Sequence, residues 1–511
     1  MSELCSFPDF RGIMEDINRK EKLFLNYVPV YIVLPLFGIV AKDNKHAELE
    51  TTERNLKRLK KEACIDGVMV DVWWGIVESK APKVYNWNGY KELFKMVKRL
   101  ELKIHAIMSF HKSSQNRKTT SLPSWVVQVG KENPDIYYTD RKGFRNDECL
   151  SLGVDNEPLF DDVNGTKRTA IQIYSDYMSS FKENMAEFLE DGVIGAIEVG
   201  LGPNGELCYP SFPSDQRWTF PGIGEFQCYD KYLKKDFENA AKKAGHSMLD
   251  LSKEDFGDYN SKPDETTFFK ENGTYTTEKG EFFLEWYSNK LIFHGDQILR
   301  EANKIFTGLK IDLVAKVSGV HWLYYHPSHG AELTAGYYNL YDRDGYRPIA
   351  RMLYKRNCFL NFSCLEMKYY NYSEEALSAP EELVKAVLSK AWKEGIEVIG
   401  ANTSEIKNAE GYNQVLLNAR PNGSNPKGKP KLKVHSFMYL RLSETIFSRN
   451  YDMFKKFVRN MHADQDYCGD AEKYAHKVES NSAITIEEIL AATKSSGSFK
   501  WDEETEAKVD G

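Results

Sequence analysis

The sequence predicts a closed (β/α)8 barrel, and three observations support that fold class. Eight short apolar, β-rich runs recur along the 511 residues, and stretches with helical periodicity lie between them. The runs are almost continuously apolar, which is typical of parallel strands that are covered on both faces. The first run leads into residues 35–38 and not into a glycine-rich phosphate turn, the usual mark of an open doubly wound sheet. A barrel is therefore favoured over the open sheet.

The predicted strands cover residues 30–35, 67–73, 103–110, 194–199, 312–317, 358–363, 396–401 and 433–440. After the first two strands, at residues 52–59 and 90–97, apolar side chains return every three or four positions, as in amphipathic helices. The spacing of the strands is uneven and predicts long insertions after strands 3, 4 and 5. We expect these insertions to lie over the carboxyl ends of the strands, where barrel enzymes build their sites.

The predicted domain organisation has three parts. Residues 1–26 form an N-terminal extension, and residues 27–448 form the barrel with an inserted lobe at about 204–310 that is rich in Gly, Pro and aromatic residues. Residues 449–511 form a C-terminal segment. Because this segment contains aromatic side chains such as Phe499 and Trp501, we expect it to pack on the barrel.

Composition and charge exclude several classes of partner. The chain is 41% hydrophobic and 28% charged, as in ordinary globular proteins, and its formal net charge of -7 is spread along the sequence. The sequence lacks the basic stripe that is expected of a nucleic-acid-binding protein. It has no run of eighteen apolar residues and begins with neither a secretory-signal nor a transit-peptide pattern. We therefore expect a cytoplasmic protein with no nucleic-acid or membrane partner.

The eight cysteines and eleven histidines do not indicate a metal site. The sequence contains no CxxC pair, and the cysteines show no metal-ligand spacing with the histidines. We therefore predict free thiols and no metal.

Polar or ionisable residues stand at the ends of successive predicted strands. They are Asp71, His111, Glu198, Glu206, Lys316, His321, Ser363, Glu366, Asn402 and Arg441. Any one of them is as readily a solvated loop residue, but their repetition around a barrel indicates a site. Carboxylates mixed with aromatic residues such as Trp73 and Trp322 suit a carbohydrate, whose ring faces rest on aromatics while its hydroxyls bond to charged groups. Packing in the core is the alternative interpretation of the same aromatic residues.

Five segments resemble plant β-amylases, the inverting exo-hydrolases that remove maltose from the non-reducing ends of α-1,4-glucans. They cover residues 27–31, 67–75, 202–207, 222–230 and 331–339. The resemblance extends over almost the whole chain and implies the barrel fold, an α-glucan or maltodextrin ligand, and no cofactor or metal. By motif match it also implies substrate-binding roles for Asp71, Trp73, His111, Lys316, His321, Ser363, Asn402 and Arg441.

The chain differs from this family at one of the two catalytic carboxylates. Inverting hydrolysis needs an acid that protonates the departing oxygen and a carboxylate, roughly 6.5–9.5 Å away, that activates water. Glu206 matches the general acid of the family. The family's general base is a glutamate in a Gly-Glu-Asn-Ala segment that ends the seventh strand, and this chain has Ala401 there. A methyl group cannot accept a proton, and such assistance is typically worth about 10²–10⁴ in rate.

Three further departures surround the predicted site. The family has a glycine-rich mobile lid after His111, whereas residues 112–120 contain neither glycine nor acid. Because glycines permit hinge motion and lid closure commonly completes a site, we expect both functions to be lost, and the basic segment indicates sequence drift or a partner-binding surface. Ser363 stands where the family has threonine and keeps the hydroxyl. Cys208 stands where the family has arginine, which removes a positive charge beside the acid.

Three functions remain open at this point. The leading prediction is a β-amylase-like protein with little or no hydrolytic activity that binds α-1,4-glucan or maltodextrin, or regulates starch metabolism. One alternative is an active β-amylase in which another carboxylate, such as Glu405, replaces the lost base. The other is a barrel pocket that serves a different reaction or ligand with Glu206 as its acid. The sequence does not identify a protein partner.

Overall fold

Eight parallel strands form a closed barrel in the computed structural model, which describes residues 26–37, 39–40, 48–115, 118–246, 250–421, 423, 432–448, 450–463 and 484–494. The strands are β1 (Val30–Val33), β2 (Gly67–Trp73), β3 (Lys103–Ser109), β4 (Ile194–Val199), β5 (Asp312–Val317), β6 (Cys358–Phe362), β7 (Val398–Ala401) and β8 (Ser436–Tyr439). Each strand pairs with the next in sequence, and β8 closes the barrel on β1. The predicted barrel is confirmed, and the open sheet is excluded.

One main helix follows each strand. These helices are α1 (Leu49–Ala63), α2 (Asn88–Arg99), α3 (Ala170–Asn184), α4 (Glu278–Phe306), α5 (Arg347–Lys355), α6 (Pro380–Lys393), α7 (Ala409–Ala419) and α8 (Tyr451–Met461). The local sequence explains their faces and ends. In α2, for example, Leu93, Phe94 and Val97 lie on the buried face, which is the periodicity that the sequence shows. Helix α3 begins with a capping box formed by Thr169 and Gln172.

The strands end close to where the sequence predicts. The bounds of β2, β4 and β5 agree at both ends, and the other five strands are one to four residues shorter than predicted. Strand β1, predicted to reach residue 35, ends at Val33. Pro35 has no backbone N–H to donate, so it cannot continue the ladder.

The long insertions follow β3, β4 and β5, as predicted. The first contains short hairpins and a helix at Ser113–Gln115, Lys118–Thr120, Ser124–Glu132, Tyr137–Thr139, Arg145–Leu150, Phe160–Asp161 and Lys167–Arg168. The second contains the helix Lys231–Lys243, and the third contains Gly330–Ala335. Within the lobe predicted for about 204–310, Glu278–Phe306 forms α4, which packs against α3 and α5.

A small apolar core fills the inside of the barrel and is separate from the larger core between strands and helices. Its buried members are Tyr31, Val33, Met69, Ile107, Val314, Phe359, Ile399, Ala401 and Met438. Ala401 is therefore an inward-facing residue at the carboxyl end of β7. In barrel enzymes this is the end that carries the site.

Parts of the predicted C-terminal segment are described. Helix α8 contacts α1 and α7, and the short helix Ile486–Leu490 contacts α5. Phe499, Trp501 and residues 1–25 of the predicted N-terminal extension lie outside the described residues. None of the described helices is both long and apolar enough to cross a membrane. The buried cysteines of the described residues, which are Cys149, Cys208, Cys228, Cys358 and Cys364, are free thiols.

Candidate active site

Glu206 is held at the mouth of the barrel by the chain that follows β4. The preceding turn contains Asn204 and Gly205, both with positive φ, and Leu207 then donates a backbone hydrogen bond of 2.8 Å to the carbonyl of Lys316 in β5. This pairing places the Lys316 Nζ atom 3.0 Å from Glu206 Oε1. Burial lowers the pKa of Lys316, but the carboxylates of Glu206 and Glu198 outweigh it, and the net pKa is raised. The predicted acid therefore lies beside a firmly protonated lysine.

A second ion pair joins the two ends of the barrel sequence. Arg441, just past β8, places Nη1 3.3 Å from Asp71 Oδ2 of β2 and also donates to the carbonyl of Leu34. Ser109 donates to the other Asp71 oxygen at 3.1 Å. Two donors thus fix the Asp71 carboxylate, whose side chain is only 8% exposed. A fixed carboxylate is suited to accepting hydrogen bonds from sugar hydroxyls.

His111 lies close enough to both ion pairs for their charges to influence its pKa. Burial lowers its pKa to about 4, although the Asp71 carboxylate opposes the shift. The ring is therefore neutral at pH 7 and stands edge-on to Trp73, with 5.2 Å between ring centroids. Its Nδ1 atom is buried without a hydrogen-bond partner. Such an unpartnered polar atom in a cleft is a position where a ligand hydroxyl would bond.

Aromatic rings line one side of the mouth. His321 shares a 2.6 Å hydrogen bond with the Ser378 hydroxyl, and burial lowers its pKa to about 4. Its ring centroid lies 4.6 Å from Tyr372 and 5.6 Å from Trp322. Phe220, which is 41% exposed, completes this group at 5.7 Å from Trp322. Neutral imidazole and aromatic faces together form a surface for an uncharged ring.

Ala401 contributes no polar group to the site. It is the last residue of β7, its backbone pairs with Met438 of β8, and its carbonyl accepts from Leu365 at 3.2 Å. The methyl group is 2% exposed and packs in the barrel interior with Ile399 and Met438. The position is therefore an inward-facing one at the carboxyl end of β7, and its methyl group cannot accept a proton.

Asn402 makes three hydrogen bonds to the backbone. Its amide donates to the carbonyls of Ser404 at 2.9 Å and Leu440 at 2.8 Å, and its oxygen accepts from the Leu440 N–H at 2.9 Å. The side chain is fully buried. These contacts indicate that Asn402 positions the loops after β7 and β8. The substrate contact implied for it stays a prediction.

The segment after β6 is tied to the same loop. The Cys364 N–H donates to the Thr403 hydroxyl at 3.1 Å, and the Ser363 hydroxyl lies 3.8 Å from the Cys364 thiol. Glu366 Oε1 accepts from the backbone of Thr403 at 2.9 Å and of Ser404 at 2.6 Å. Its other oxygen is buried without a partner, and burial raises the pKa of the carboxyl. Glu366 is thus the carboxyl group bonded directly to the loop that follows Ala401.

Glu405 does not lie in this arrangement. Its side chain is exposed, and its nearest electrostatic effect is on the phenols of Tyr412 and Tyr439. Burial raises the pKa of Tyr439, and Glu405 adds to the shift. Tyr439 belongs to the outer core and packs on Phe454 of α8. A role of Glu405 as a replacement base stays a prediction.

Two features near the acid were not apparent from the sequence. Ser113–Gln115 and Lys118–Thr120 pair as antiparallel strands of a hairpin, with Ser113 opposite Thr120, and Lys112 anchors the first strand through an ion pair of 2.7 Å with Asp147. Next to Asp147, Glu148 accepts a 3.0 Å hydrogen bond from the Asn204 N–H. Burial raises the pKa of Glu148 to about 7, and the Glu206 carboxylate adds to the shift. The sequence contained no spacing signal that connects Glu148 with the acid.

The buried Cys208 thiol lies beside the same two acids. Burial raises its pKa well above the usual range, and Glu206 and Glu148 contribute to the shift. Cys208 is therefore an uncharged thiol, whereas the arginine expected from the resemblance would carry a positive charge. Among the described residues, no group of three His, Cys, Asp or Glu side chains is arranged to hold a metal ion.

Known proteins match this chain over nearly its full length. Residues 31–466 match the family model of glycosyl hydrolase family 14. The chain is 65% identical over 502 residues to Beta-amylase 5 of Arabidopsis thaliana, covering 97% of this chain and 99% of that relative. It is 54% identical over 497 residues to Beta-amylase of Glycine max, covering 96% of this chain and 99% of that relative.

A solved structure agrees with these sequence matches. The catalytic domain of beta-amylase from Paenibacillus polymyxa superposes with a TM-score of 0.68 at 27% identity, over 85% of this chain and 98% of that chain. The sequence matches and the shared barrel lead to one conclusion. The chain belongs to glycosyl hydrolase family 14.

Proposed function

We propose that this protein binds α-1,4-glucan at the barrel mouth and hydrolyses it little or not at all, acting as a glucan-binding or regulatory member of starch metabolism. The observation that carries the proposal is the combination of an ordered set of polar groups with a methyl group at the end of β7. Relatives named beta-amylase support glucan as the ligand.

The binding half of the proposal rests on the arrangement of charged and aromatic groups at the barrel mouth. The Asp71 and Arg441 pair and the Glu206 and Lys316 pair hold charged groups in fixed positions at the mouth. The aromatic rings around Trp322 provide apolar faces beside them. Charged hydrogen bonds and ring contacts are the two interactions by which a sugar is held. Binding of this kind does not require a general base.

The catalytic half rests on Ala401. An inverting hydrolase needs a carboxylate that activates water on the face of the sugar opposite the acid. The side chain at this position is a methyl group in an apolar interior. Removal of one member of a catalytic unit typically costs about 10²–10⁴ in rate, and Glu206 alone cannot supply both proton transfers.

The proposal is tested by measuring binding and turnover on the same samples. Calorimetric titration with maltoheptaose is expected to give saturable binding by the unaltered protein, and the incubated mixtures are expected to contain no released maltose. Asp71→Asn keeps the shape of the side chain but removes its charge, so it should weaken binding by about tenfold, as expected for loss of a charged hydrogen bond. Absence of binding in the unaltered protein, or equal binding by Asp71→Asn, would contradict the proposal.

Weak hydrolysis with Glu366 as a replacement base is the second candidate function. The observation in its favour is that one oxygen of this buried carboxyl has no partner, while the other bonds to the loop after Ala401. Glu366→Gln keeps an oxygen acceptor for that loop but cannot take a proton. Maltose release that is present in the unaltered protein and absent in both Glu366→Gln and Glu206→Gln would establish this candidate, and absence of release from the unaltered protein would exclude it.

A further inference from the structure

A second cavity lies on the flank of the barrel, between the insertion after β5 and helix α6. Its volume is about 790 Å³, and residues that line it include Tyr324, Tyr325, His329 and Tyr341 from the insertion and Glu382 and Lys385 from α6. Sites for small organic ligands are typically about 300–1,000 Å³ in volume. The lining contains none of the residues assigned above to the barrel mouth. The cavity is therefore a separate feature of the molecule.

Exposed aromatic rings mark the rim of this cavity. Tyr325 is 57% exposed and Tyr341 is 96% exposed, and both line the cavity. Two more exposed tyrosines, Tyr369 and Tyr370, have ring centroids 5.5 Å apart. The Tyr369 N–H donates a 2.8 Å hydrogen bond to Glu381 of α6, the neighbour of the lining residue Glu382. Such a concentration of large exposed rings is unusual on a soluble surface and indicates a binding site.

The tyrosines form a strip that reaches the barrel mouth. Tyr372 belongs to the aromatic group at the mouth, with its ring 5.6 Å from Phe220. The short 3-10 turn Tyr369–Asn371 precedes it directly and carries the exposed tyrosines. The backbone N–H of Tyr325 donates a 3.1 Å hydrogen bond to the carbonyl of Leu377. This bond connects the cavity rim to the segment that follows Tyr372. Aromatic surface therefore extends from the mouth to the flank cavity.

The charges around the cavity do not favour an ionic ligand. Lys390 and Asp344 form an ion pair of 2.7 Å, and Arg343 stacks on the Tyr338 ring at 4.0 Å. Glu382 and Lys385 add one charge of each sign to the lining, so Arg343, which stacks on Tyr338, is the one cation in excess. A site built for a phosphate or a carboxylate would present a larger surplus of cations. Rings with balanced polar groups suit an uncharged ligand that has both apolar faces and hydroxyls.

We propose that the flank cavity and its tyrosine strip form a second α-glucan-binding site. A long glucan chain held at the barrel mouth continues across the strip, or a neighbouring branch of the same polymer enters the cavity. Two linked sites on one polymer bind it more tightly than either site alone, because the second contact is intramolecular. The site therefore favours starch-like polymers over short maltodextrins. The inference rests on the proposed function only in its choice of ligand.

The test is affinity electrophoresis in gels that contain soluble amylopectin. The double variant Tyr325→Ala with Tyr341→Ala removes both rim rings and is expected to weaken amylopectin binding by about tenfold, since each aromatic contact is worth about 0.5–1.5 kcal/mol. The matched double variant with Phe at both positions keeps the rings and is expected to bind within about twofold of the unaltered protein. Leu417→Ala, at a 61% exposed residue on α7, is the surface control and should not change binding.

Two outcomes would overturn the inference. They are amylopectin binding by the double Ala variant that equals that of the unaltered protein, and a loss in the double Phe variant as large as in the double Ala variant. Failure of the barrel site is detected separately with Asp71→Asn. If that variant binds amylopectin normally while the double Ala variant does not, the flank site stands and the proposed barrel site fails. Urea unfolding midpoints of all variants, expected to be equal, exclude misfolding as the cause.

Discussion

At the scale of single residues, the site separates groups that hold a ligand from groups that move protons. The ion pairs of Asp71 with Arg441 and of Glu206 with Lys316 are intact. Ala401 ends β7 as a buried methyl group. Because catalysis depends on interactions that strengthen only in the transition state, we expect loss of the base to reduce turnover without removing the ground-state contacts.

His111 gives a residue-scale prediction for the pH dependence of stability. Its pKa is about 4 in the folded protein, against 6.5 for an unperturbed histidine. The unfolded chain therefore binds more protons between these values, and the associated stability is present above pH 6.5 and lost as the pH falls towards 4. Between pH 7 and pH 5 this histidine should cost about 2 kcal/mol of unfolding free energy.

The measurement compares urea unfolding of the unaltered protein and His111→Gln at pH 7 and pH 5. His321, whose pKa is also lowered to about 4, remains in both proteins and cancels from the comparison. The variant should lose less stability over this range than the unaltered protein. An equal loss in both proteins would show that His111 does not titrate as described.

At the scale of elements, a hairpin lies where the resemblance to β-amylases predicts a mobile lid. Ser113–Gln115 and Lys118–Thr120 pair in antiparallel register, and the Ser114 and Thr119 hydroxyls lie 3.1 Å apart. Lys112 fixes the start of the segment through a backbone bond of 2.6 Å to Glu148 and the ion pair with Asp147. We therefore expect these contacts to stabilise one conformation of the paired strands and to disfavour hinged closure.

We predict that ligand binding changes the hydrogen exchange of this hairpin very little. Hydrogen exchange of the paired amides in Ser113–Gln115 and Lys118–Thr120 should be the same with and without saturating maltoheptaose, because no closing motion orders them. Amides near the aromatic mouth, such as those around Trp322, serve as the internal control and should be protected by the ligand. Strong protection of the hairpin on binding would show that it closes over the site after all.

At the scale of the whole molecule, one buried carboxylate joins the two ends of the barrel chain. Asp66, just before β2, accepts hydrogen bonds from the Tyr27 hydroxyl at 2.6 Å and the Val30 N–H at 2.7 Å. His462, just after α8, lies 2.9 Å from the same carboxylate and stacks on Tyr27 at 4.1 Å. Asp66 thus links helix α8, at the end of the barrel chain, to strand β1 at its beginning.

This junction predicts a global effect on stability. His462→Ala leaves a buried carboxylate oxygen short of a partner and removes the stacked ring, so it should lower the free energy of unfolding by roughly 2–4 kcal/mol. His462→Gln, which keeps a donor, should recover part of the loss. Urea unfolding measures both. Maltoheptaose affinity should not change in either variant, because the junction lies at the opposite end of the barrel from the site.

The sequence predicted the repeating strands well because both faces of each parallel strand are buried, and this leaves a clear apolar signal at β2, β4 and β5. It placed the ion-paired residues at strand ends, where they lie in the structure, and their roles in a site stay a prediction. It did not predict the roles of Asn402 and Glu148. Their contacts are made with chain segments distant in sequence, and no local pattern records such contacts. The hairpin after β3 was missed for a different reason, since its strands are only three residues long.

The central claim is that one missing carboxylate separates binding from hydrolysis. The most direct test is maltose release from soluble starch by the unaltered protein and by Ala401→Glu, with Ala401→Gln as a matched control of similar size and no basicity. We expect no release from the unaltered protein or from Ala401→Gln, and a gain of at least about 10²-fold over background for Ala401→Glu. Glu206→Gln should abolish that gain. Release from the unaltered protein that Glu206→Gln abolishes would show that a working base is present and contradict the account.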